Sequence, residues 1–111
     1  MINSDIIRGN IDAIILKLLM EKDRYGYELA NEIKSRTNDR FQIKEATLYS
    51  AVTRLESREL ISSYMGEKSH GGQRRYYRIT TFGKAYFAEL MKDFSELREI
   101  MKAILGSDYH E

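Results

Sequence analysis

Apolar residues recur at intervals of three and four in four stretches of the chain, which is the spacing of amphipathic helices. The first stretch predicts a helix that begins after a cap at Asn3 or Ser4 and ends near Glu21. The next two predict helices over residues 26–36 and 44–58, separated by a polar loop. The fourth predicts a long helix over residues 81–106. The positions expected to face the core of the first three helices are Ile6, Ile7, Ile11, Ile14, Ile15, Leu18, Leu19, Leu29, Ala30, Ile33, Leu48, Val52 and Leu55.

Between the third and fourth helices the pattern changes to the alternation of strands. Residues 60–65 and 74–80 predict two strands, with Tyr77 and Ile79 facing the helices. The connection between them is longer than a tight hairpin needs, and Gly71 and Gly72 make it flexible. Residues 22–24 predict a turn.

These elements predict a fold class that is mainly α with a small β-hairpin (α+β). The order of elements is that of a winged helix-turn-helix domain over residues 1–80. The predicted dimerisation helix covers residues 81–106, and the tail at 107–111 is expected to fray.

The third helix has the side chains that a DNA-reading helix needs. Small or hydrogen-bonding residues near its N-terminal end let the backbone approach base edges, and Arg54, one turn further on, suits a phosphate. By itself this pattern fits an ordinary amphipathic surface helix equally well. The candidate DNA contacts of this helix are Lys44, Ala46, Thr47, Tyr49, Ser50 and Arg54.

The hairpin carries a local excess of positive charge. The whole chain has a net charge of only +1, but residues 67–78 contain four basic residues against one acidic residue. Such a charge can steer a phosphate backbone toward this side of the molecule, although an isolated basic loop is more often merely solvated. Together with the third helix, Gln73, Arg74 and Arg75 favour contact with phosphates or entry into a minor groove of double-stranded DNA.

Composition excludes several other classes of protein. The chain has no cysteine, and neither His70 nor His110 has a second ligand at metal-binding spacing, so we expect no metal site and no cofactor. No nucleophile–base pair or phosphate-binding loop points to an enzyme. No apolar run approaches the length of a membrane span and no signal peptide is visible, which predicts a cytoplasmic protein without a membrane partner.

The last helix has more apolar surface than one small domain can cover. Its apolar positions follow a heptad-like spacing, which favours contact with the same helix of a second copy, assisted by the first helix. The alternative is that the helix folds back on its own domain. The predicted interface positions are Ile7, Ile11, Phe87, Leu90, Phe94, Leu97, Met101 and Ile104.

Several blocks of the sequence form a specific pattern, in this order: Tyr25-Gly26-Tyr27-Glu28-Leu29, Ala46-Thr47-Leu48-Tyr49, Arg54-Leu55-Glu56, Leu60-Ile61 and Arg74-Arg75-Tyr76-Tyr77-Arg78-Ile79-Thr80 followed by Gly83. These blocks resemble the PadR family of transcriptional regulators, in particular its compact, multidrug-sensing subfamily. The resemblance implies a winged-helix homodimer that binds palindromic operators, is most often a repressor, and releases DNA when a small aromatic compound binds or the cell is stressed. A winged helix that binds another protein instead of DNA is the alternative.

The resemblance also implies a ligand site at the dimer centre. In the multidrug-sensing members an aromatic residue fourteen positions after the threonine of the last block lines a cavity, and here that residue is Phe94. Arg98 lies one turn later, so we expect a flat aromatic ligand that is neutral or anionic. A closed hydrophobic dimer core without a ligand is the alternative. The candidate ligand contacts are Asp12, Ala13, Lys17, Leu90, Met91, Phe94 and Arg98.

One position departs from the family pattern. Glu59 stands where the family usually has glycine before Leu60-Ile61. If the backbone there has positive φ, glutamate costs on the order of 1 kcal/mol relative to glycine.

Overall fold

The computed structural model describes residues 6–7, 10–67 and 72–110. Sequence predictions that fall on Asn3 or Ser4 and on the hairpin residues His70 and Gly71 lie outside these residues. The elements, in chain order, are α1 (Ile11–Glu21), β1 (Arg24–Tyr25), α2 (Gly26–Arg36), α3 (Glu45–Ser57), β2 (Ile61–Met65), β3 (Arg75–Ile79), α4 (Thr81–Leu105) and a 3₁₀ turn (Gly106–Asp108). The predicted fold class is confirmed.

The core forms where α1 meets α2, α3 and the sheet. Residues of α1 are buried on both flanks of the predicted stripe, and Leu16, which the periodicity did not select, is fully buried. Ile6 is exposed, contrary to the prediction, whereas Ile7 and Ile14 are partly buried against the core. The buried apolar residues are Ile11, Ala13, Ile15, Leu16, Leu18, Leu19, Leu29, Ile33, Leu48, Ala51, Val52, Leu55, Leu60, Ile61, Tyr77 and Ile79.

The sheet has three antiparallel strands in the order β1-β3-β2. Tyr76 of β3 stands opposite Tyr25 on one side and Tyr64 on the other. The predicted turn at residues 22–24 is therefore wrong at Arg24, which begins β1. A strand of two residues has no periodicity to detect, and it exists because β3, about fifty residues later in the chain, provides its partner.

Arg24 is the one charged residue that is fully buried in the described part of the chain. Its guanidinium donates to the Leu18 carbonyl at 3.0 Å, to Glu32 at 3.1 Å and to Glu21 at 2.9 Å, so its charge is compensated. Arg36 donates to the same two carboxylates and holds the pKa of Glu21 at about 2. The contribution of Glu21 to stability is therefore complete above pH 4.5 and is lost as the pH falls toward 2.

At the end of α3 the backbone has the positive φ that is considered above for Glu59, the residue that replaces the family's usual glycine. Glu59 has φ of 62°, in the left-handed region, and the Leu60 N–H donates to the Leu55 carbonyl at 3.0 Å, which closes the helix. The Thr80 hydroxyl donates to the Glu59 carbonyl at 2.7 Å. Glutamate therefore occupies a glycine-favouring position at a cost of about 1 kcal/mol.

The helix α4 begins and ends as predicted. Thr80 caps it by accepting the Gly83 N–H at 3.0 Å, and Gly106, with φ of 57°, ends it. A 3₁₀ turn follows Leu105, and in it the Tyr109 N–H donates to the Gly106 carbonyl at 3.2 Å. None of the helices in the described residues combines the length and the apolar character that crossing a membrane requires.

Candidate nucleic-acid interface

The N-terminal half of α3 presents a polar face to solvent. Lys44 occupies the N-cap position with an extended backbone, and Thr47 and Ser50 are exposed beside a shallow groove of about 330 Å³. Ala46 lines the same groove, and at this position only a methyl group lies between a ligand and the helix. Buried Leu48, Val52 and Leu55 hold the opposite face on the core. This arrangement leaves Lys44, Ala46, Thr47 and Ser50 exposed and available to a partner.

A second tyrosine accompanies Tyr49 beside this face. Tyr49 is 68% exposed and lines a cleft of about 360 Å³ together with Tyr27 of α2, which is 73% exposed. Sequence reasoning selected only Tyr49, because nothing in the sequence distinguished Tyr27 from the tyrosines that fill the core. Two phenol hydroxyl groups at the rim of one cleft can donate to phosphate oxygens.

Two arginines, one just before β3 and one at its first position, are held by aromatic and polar neighbours. The Arg74 guanidinium lies over the Tyr25 ring, 4.6 Å from its centroid. Arg75 donates to the Ser63 hydroxyl at 3.0 Å, and both arginines remain exposed. Gln73 is also exposed. The structure thus brings the three predicted hairpin residues onto one exposed segment and orders two of them.

A ladder of tyrosines crosses the outer face of the sheet and supports these arginines. The Tyr76 ring contacts the Tyr25 ring edge to face, with centroids 5.4 Å apart, and stacks on the Tyr64 ring at 5.7 Å. The Tyr64 hydroxyl donates to Asp23 at 2.6 Å, and Arg78 donates to the same oxygen at 3.1 Å. Partial burial opposes ionisation of Asp23, but these two donors keep its pKa below the ordinary value.

Arg54 is engaged within the protein. Its guanidinium donates to the Asp12 carboxylate of α1, and Arg58, one turn later, approaches the second oxygen of Asp12 at 3.9 Å. The Arg58 guanidinium also lies over the Tyr86 ring, 4.8 Å from its centroid. The structure therefore places the predicted phosphate contact Arg54 in an ion pair that sequence reasoning did not find.

An apolar cleft of about 640 Å³ opens between α1, α2 and α4. Four of the predicted ligand contacts line it, namely Ala13, Lys17, Met91 and Phe94. The other three predicted contacts do not line the cleft. Leu90 packs against the core, and the Asp12 carboxylate accepts a hydrogen bond from Arg54. Arg98 also lies outside the lining of the cleft. The lining residues that sequence reasoning missed are Ile7, Ile14, Leu18, Glu32, Ile33, Arg36, Thr37, Phe41 and Phe87.

Two basic residues line this cleft, and only one of them lacks an ion-pair partner among the described residues. Arg36 is neutralised by Glu21 and Glu32, which raise its pKa above the ordinary value through direct hydrogen bonds. Lys17 is exposed, and within residues 6–7, 10–67 and 72–110 no carboxylate forms an ion pair with it. The cleft thus has mostly apolar walls and one available positive charge.

The family is decided by comparison with known proteins. Residues 15–89 match the model of the transcriptional regulator PadR-like family. The chain belongs to this family. It is similar to the transcriptional regulator Cth-833 of Clostridium thermocellum, with 42% identity over 94% of this chain and 98% of that one and a TM-score of 0.86. It is also similar to a PadR family regulator of Clostridium difficile R20291, with 38% identity over 86% of this chain and 98% of that one and a TM-score of 0.77.

A more distant neighbour shares the fold. Bacillus subtilis PadR in complex with operator DNA superposes with a TM-score of 0.66 and 18% identity, over 73% of this chain and 46% of that one. The predicted resemblance to the PadR family and the winged-helix fold are thereby confirmed.

The second half of α4 in this PadR-family chain carries an uncovered apolar stripe. Leu97 is 53% exposed and Ile104 is 78% exposed, and Met101 lies exposed between them. Phe87 packs against the core, so only the first half of the predicted stripe is covered by its own domain. Ile11, which was also predicted for the dimer interface, is buried inside that domain and is not available to a second copy.

Proposed function

We propose that this PadR-family regulator is a homodimer that binds a palindromic operator in double-stranded DNA and represses transcription until a small aromatic ligand releases it. The observation that carries the proposal is that the polar face of α3 is exposed and that Arg74 and Arg75 are exposed as well. A helix with small polar residues suits a major groove, and the neighbouring arginines suit phosphates or the adjacent minor groove. The operator complex of the distant Bacillus subtilis neighbour supports the same use of the fold.

A twofold arrangement is supported by the apolar stripe on α4. Side chains as large as Leu97, Met101 and Ile104 are costly to leave in water, and a second copy of the same stripe would cover them. A twofold axis would also space two α3 helices for the two halves of an inverted repeat. Both half-sites must be engaged together for tight binding, so a small change in spacing suffices to release the operator.

Two substitutions separate base reading from phosphate contact. Arg74→Ala is expected to weaken binding to any duplex and to reduce the salt slope of log Kobs by about 0.9, because one phosphate contact is lost. Thr47→Ala is expected to leave that slope unchanged and to relax preference for the operator. Fluorescence anisotropy over a series of salt concentrations measures both effects. Arg98→Ala, on α4, removes the same charge outside the proposed interface and should bind like the wild type. Equal slopes for all three variants would contradict the assignment of Arg74.

The cleft supports a ligand that is flat, aromatic and neutral or anionic. Its walls include Phe41, Phe87 and Phe94, and Lys17 is its available charge. Isothermal calorimetry with an anionic and a cationic aromatic dye is expected to show tighter binding of the anionic dye. Lys17→Gln should weaken that binding, while Lys84→Gln, an exposed position outside the cleft, should not. Tighter binding of the cationic dye would reject the charge argument, and no binding of either dye would favour a closed dimer core.

A further inference from the structure

The ion pair between α1 and α3 has a consequence for DNA affinity. Arg54 lies on α3 and Arg58 is the C-cap residue that follows this helix, about one turn later, and both guanidinium groups converge on the Asp12 carboxylate. The Asp12 side chain is only 17% exposed, whereas both arginine side chains are about half exposed. A carboxylate held by guanidinium groups has the charge and the acceptor geometry of a phosphate diester. We propose that Asp12 occupies, in the free protein, the cation site that a DNA phosphate takes on binding, and thereby limits DNA affinity.

Long side chains make the exchange geometrically simple. Arg54 is anchored by its backbone on the exposed flank of the DNA-reading helix, so its guanidinium can turn from Asp12 toward solvent by side-chain rotation alone. Phosphate and carboxylate then compete for the same donors. The exchange releases one ion pair and forms another, so the net gain is smaller than that of an arginine without an internal partner.

Arg58 ensures that the Asp12 carboxylate is still paired when Arg54 turns toward a phosphate. Its guanidinium already lies 3.9 Å from the second Asp12 oxygen and is held there by stacking over Tyr86 of α4. When Arg54 turns away, Asp12 retains a cation partner. An unpaired, largely buried carboxylate would be much more costly. The three residues therefore form a unit in which Arg54 is the mobile member and Arg58 the fixed one.

This inference rests on the proposed function, since it requires α3 to face DNA. The test uses the full-length protein and a fluorescein-labelled duplex of mixed sequence, about 30 base pairs or three helical turns long. Asp12→Asn is expected to bind this duplex about threefold to fivefold more tightly than the wild type, because the half-exposed Arg54 guanidinium no longer has to leave an ion pair before it contacts a phosphate. The salt slope of log Kobs should steepen by up to about 0.9 because Arg54 engages a phosphate fully.

A matched variant separates this local effect from the change in net charge. Asp108→Asn makes the same change in the 3₁₀ turn after α4, a helix of 25 residues and therefore about 37 Å long. Its affinity should equal that of the wild type, because a Debye length at physiological salt is only about 8 Å. The double variant Asp12→Asn/Arg54→Gln should lose the whole gain. Arg54→Gln alone should make the slope shallower, which keeps the test decisive if Asp12→Asn does not fold.

Each outcome either supports or overturns the inference. If Asp12→Asn binds no more tightly than Asp108→Asn while the wild type binds normally, Asp12 does not compete with DNA. If Asp12→Asn binds more weakly, the carboxylate instead orients Arg54 for DNA and the inference is reversed. If the wild-type protein shows no salt-dependent binding to the duplex, the proposed function fails together with the inference. Only the last result bears on the proposed function.

Discussion

Leu97→Glu is expected to convert the proposed homodimer to monomers at micromolar concentration. Leu97 is the first residue of the uncovered stripe on α4 and is 53% exposed in a single chain. Burying a leucine contributes about 1.5–3 kcal/mol, each dimer contains two copies, and the substitution also places two negative charges in an apolar interface. A loss of at least about 4 kcal/mol raises the dissociation constant roughly a thousandfold. Sedimentation velocity measures the change directly.

The control for this prediction adds the same charge outside the stripe. Ser95→Glu changes an exposed residue of α4 only two positions away and should remain dimeric. Loss of the dimer should also reduce operator affinity, because the two half-sites are then bound independently. A Leu97→Glu protein that sediments as a dimer, or a wild-type protein that sediments as a monomer, would contradict the proposed interface.

Gly83→Ala is expected to lower the free energy of unfolding by about 3 kcal/mol or more. A Cβ atom at Gly83 would lie 2.1 Å from the Leu60 carbonyl oxygen and 2.8 Å from a side-chain carbon of Ile79. The Leu60 carbonyl cannot move away freely, because it accepts the Thr80 N–H at 3.1 Å. The first turn of α4 must therefore shift and lose its Thr80 cap. The expected fall in the melting temperature is roughly 10–20 °C.

A second glycine provides the matched control. A Cβ atom at Gly26 would meet nothing within 4 Å, and this residue begins α2 with no positive φ. Gly26→Ala should therefore leave stability unchanged or raise it by up to about 1 kcal/mol. Both variants are compared by thermal denaturation at one protein concentration, since the stability of a dimer depends on concentration. A Gly83→Ala protein as stable as Gly26→Ala would show that α4 does not pack on Leu60 as described.

Much of the fold could be predicted because its elements are long and periodic. The helix predicted at residues 26–36 is observed at Gly26–Arg36, and the two helices after it differ from their predicted bounds by one residue at an end. The first helix ends at Glu21 as predicted, but Asn10 lies in a turn and α1 begins only at Ile11, so the prediction of one uninterrupted first helix is wrong. The alternation in β3 correctly placed Tyr77 and Ile79 on the core. These signals are local, since each depends on the repeat of a single helix or strand.

The features that sequence reasoning missed depend on contacts between distant parts of the chain. The short strand β1 exists only beside β3, and the buried Arg24 of β1 is compensated by Glu32 of α2. The ion pair between Asp12 and Arg54 joins residues 42 positions apart. No spacing rule within one helix identifies such partners. The pairing of Asp12 with Arg54 could therefore not be recognised from the sequence, and Asp12 was predicted as a ligand contact instead.

In the candidate interface, too, residue type and element order predicted some residues, whereas others depend on tertiary packing. Thr47, Ser50 and the hairpin arginines could be selected from residue type and element order, and the structure leaves them exposed. Tyr27 was missed because its exposure follows from how α2 packs rather than from its own neighbours in sequence. In the cleft, Phe41 comes from the loop before α3 and meets α4 only through tertiary packing.

The first experiment to perform is selection of binding sites from a pool of random duplex DNA at about 150 mM salt, where electrostatic screening is physiological. If this PadR-family regulator reads an inverted repeat through α3 and the basic hairpin, the selected sequences should be enriched in an inverted repeat. Its half-sites should lie about one helical turn, or a multiple of it, apart. No enrichment, with binding that disappears as salt rises, would rule out this mode of reading and favour a winged helix that binds another protein.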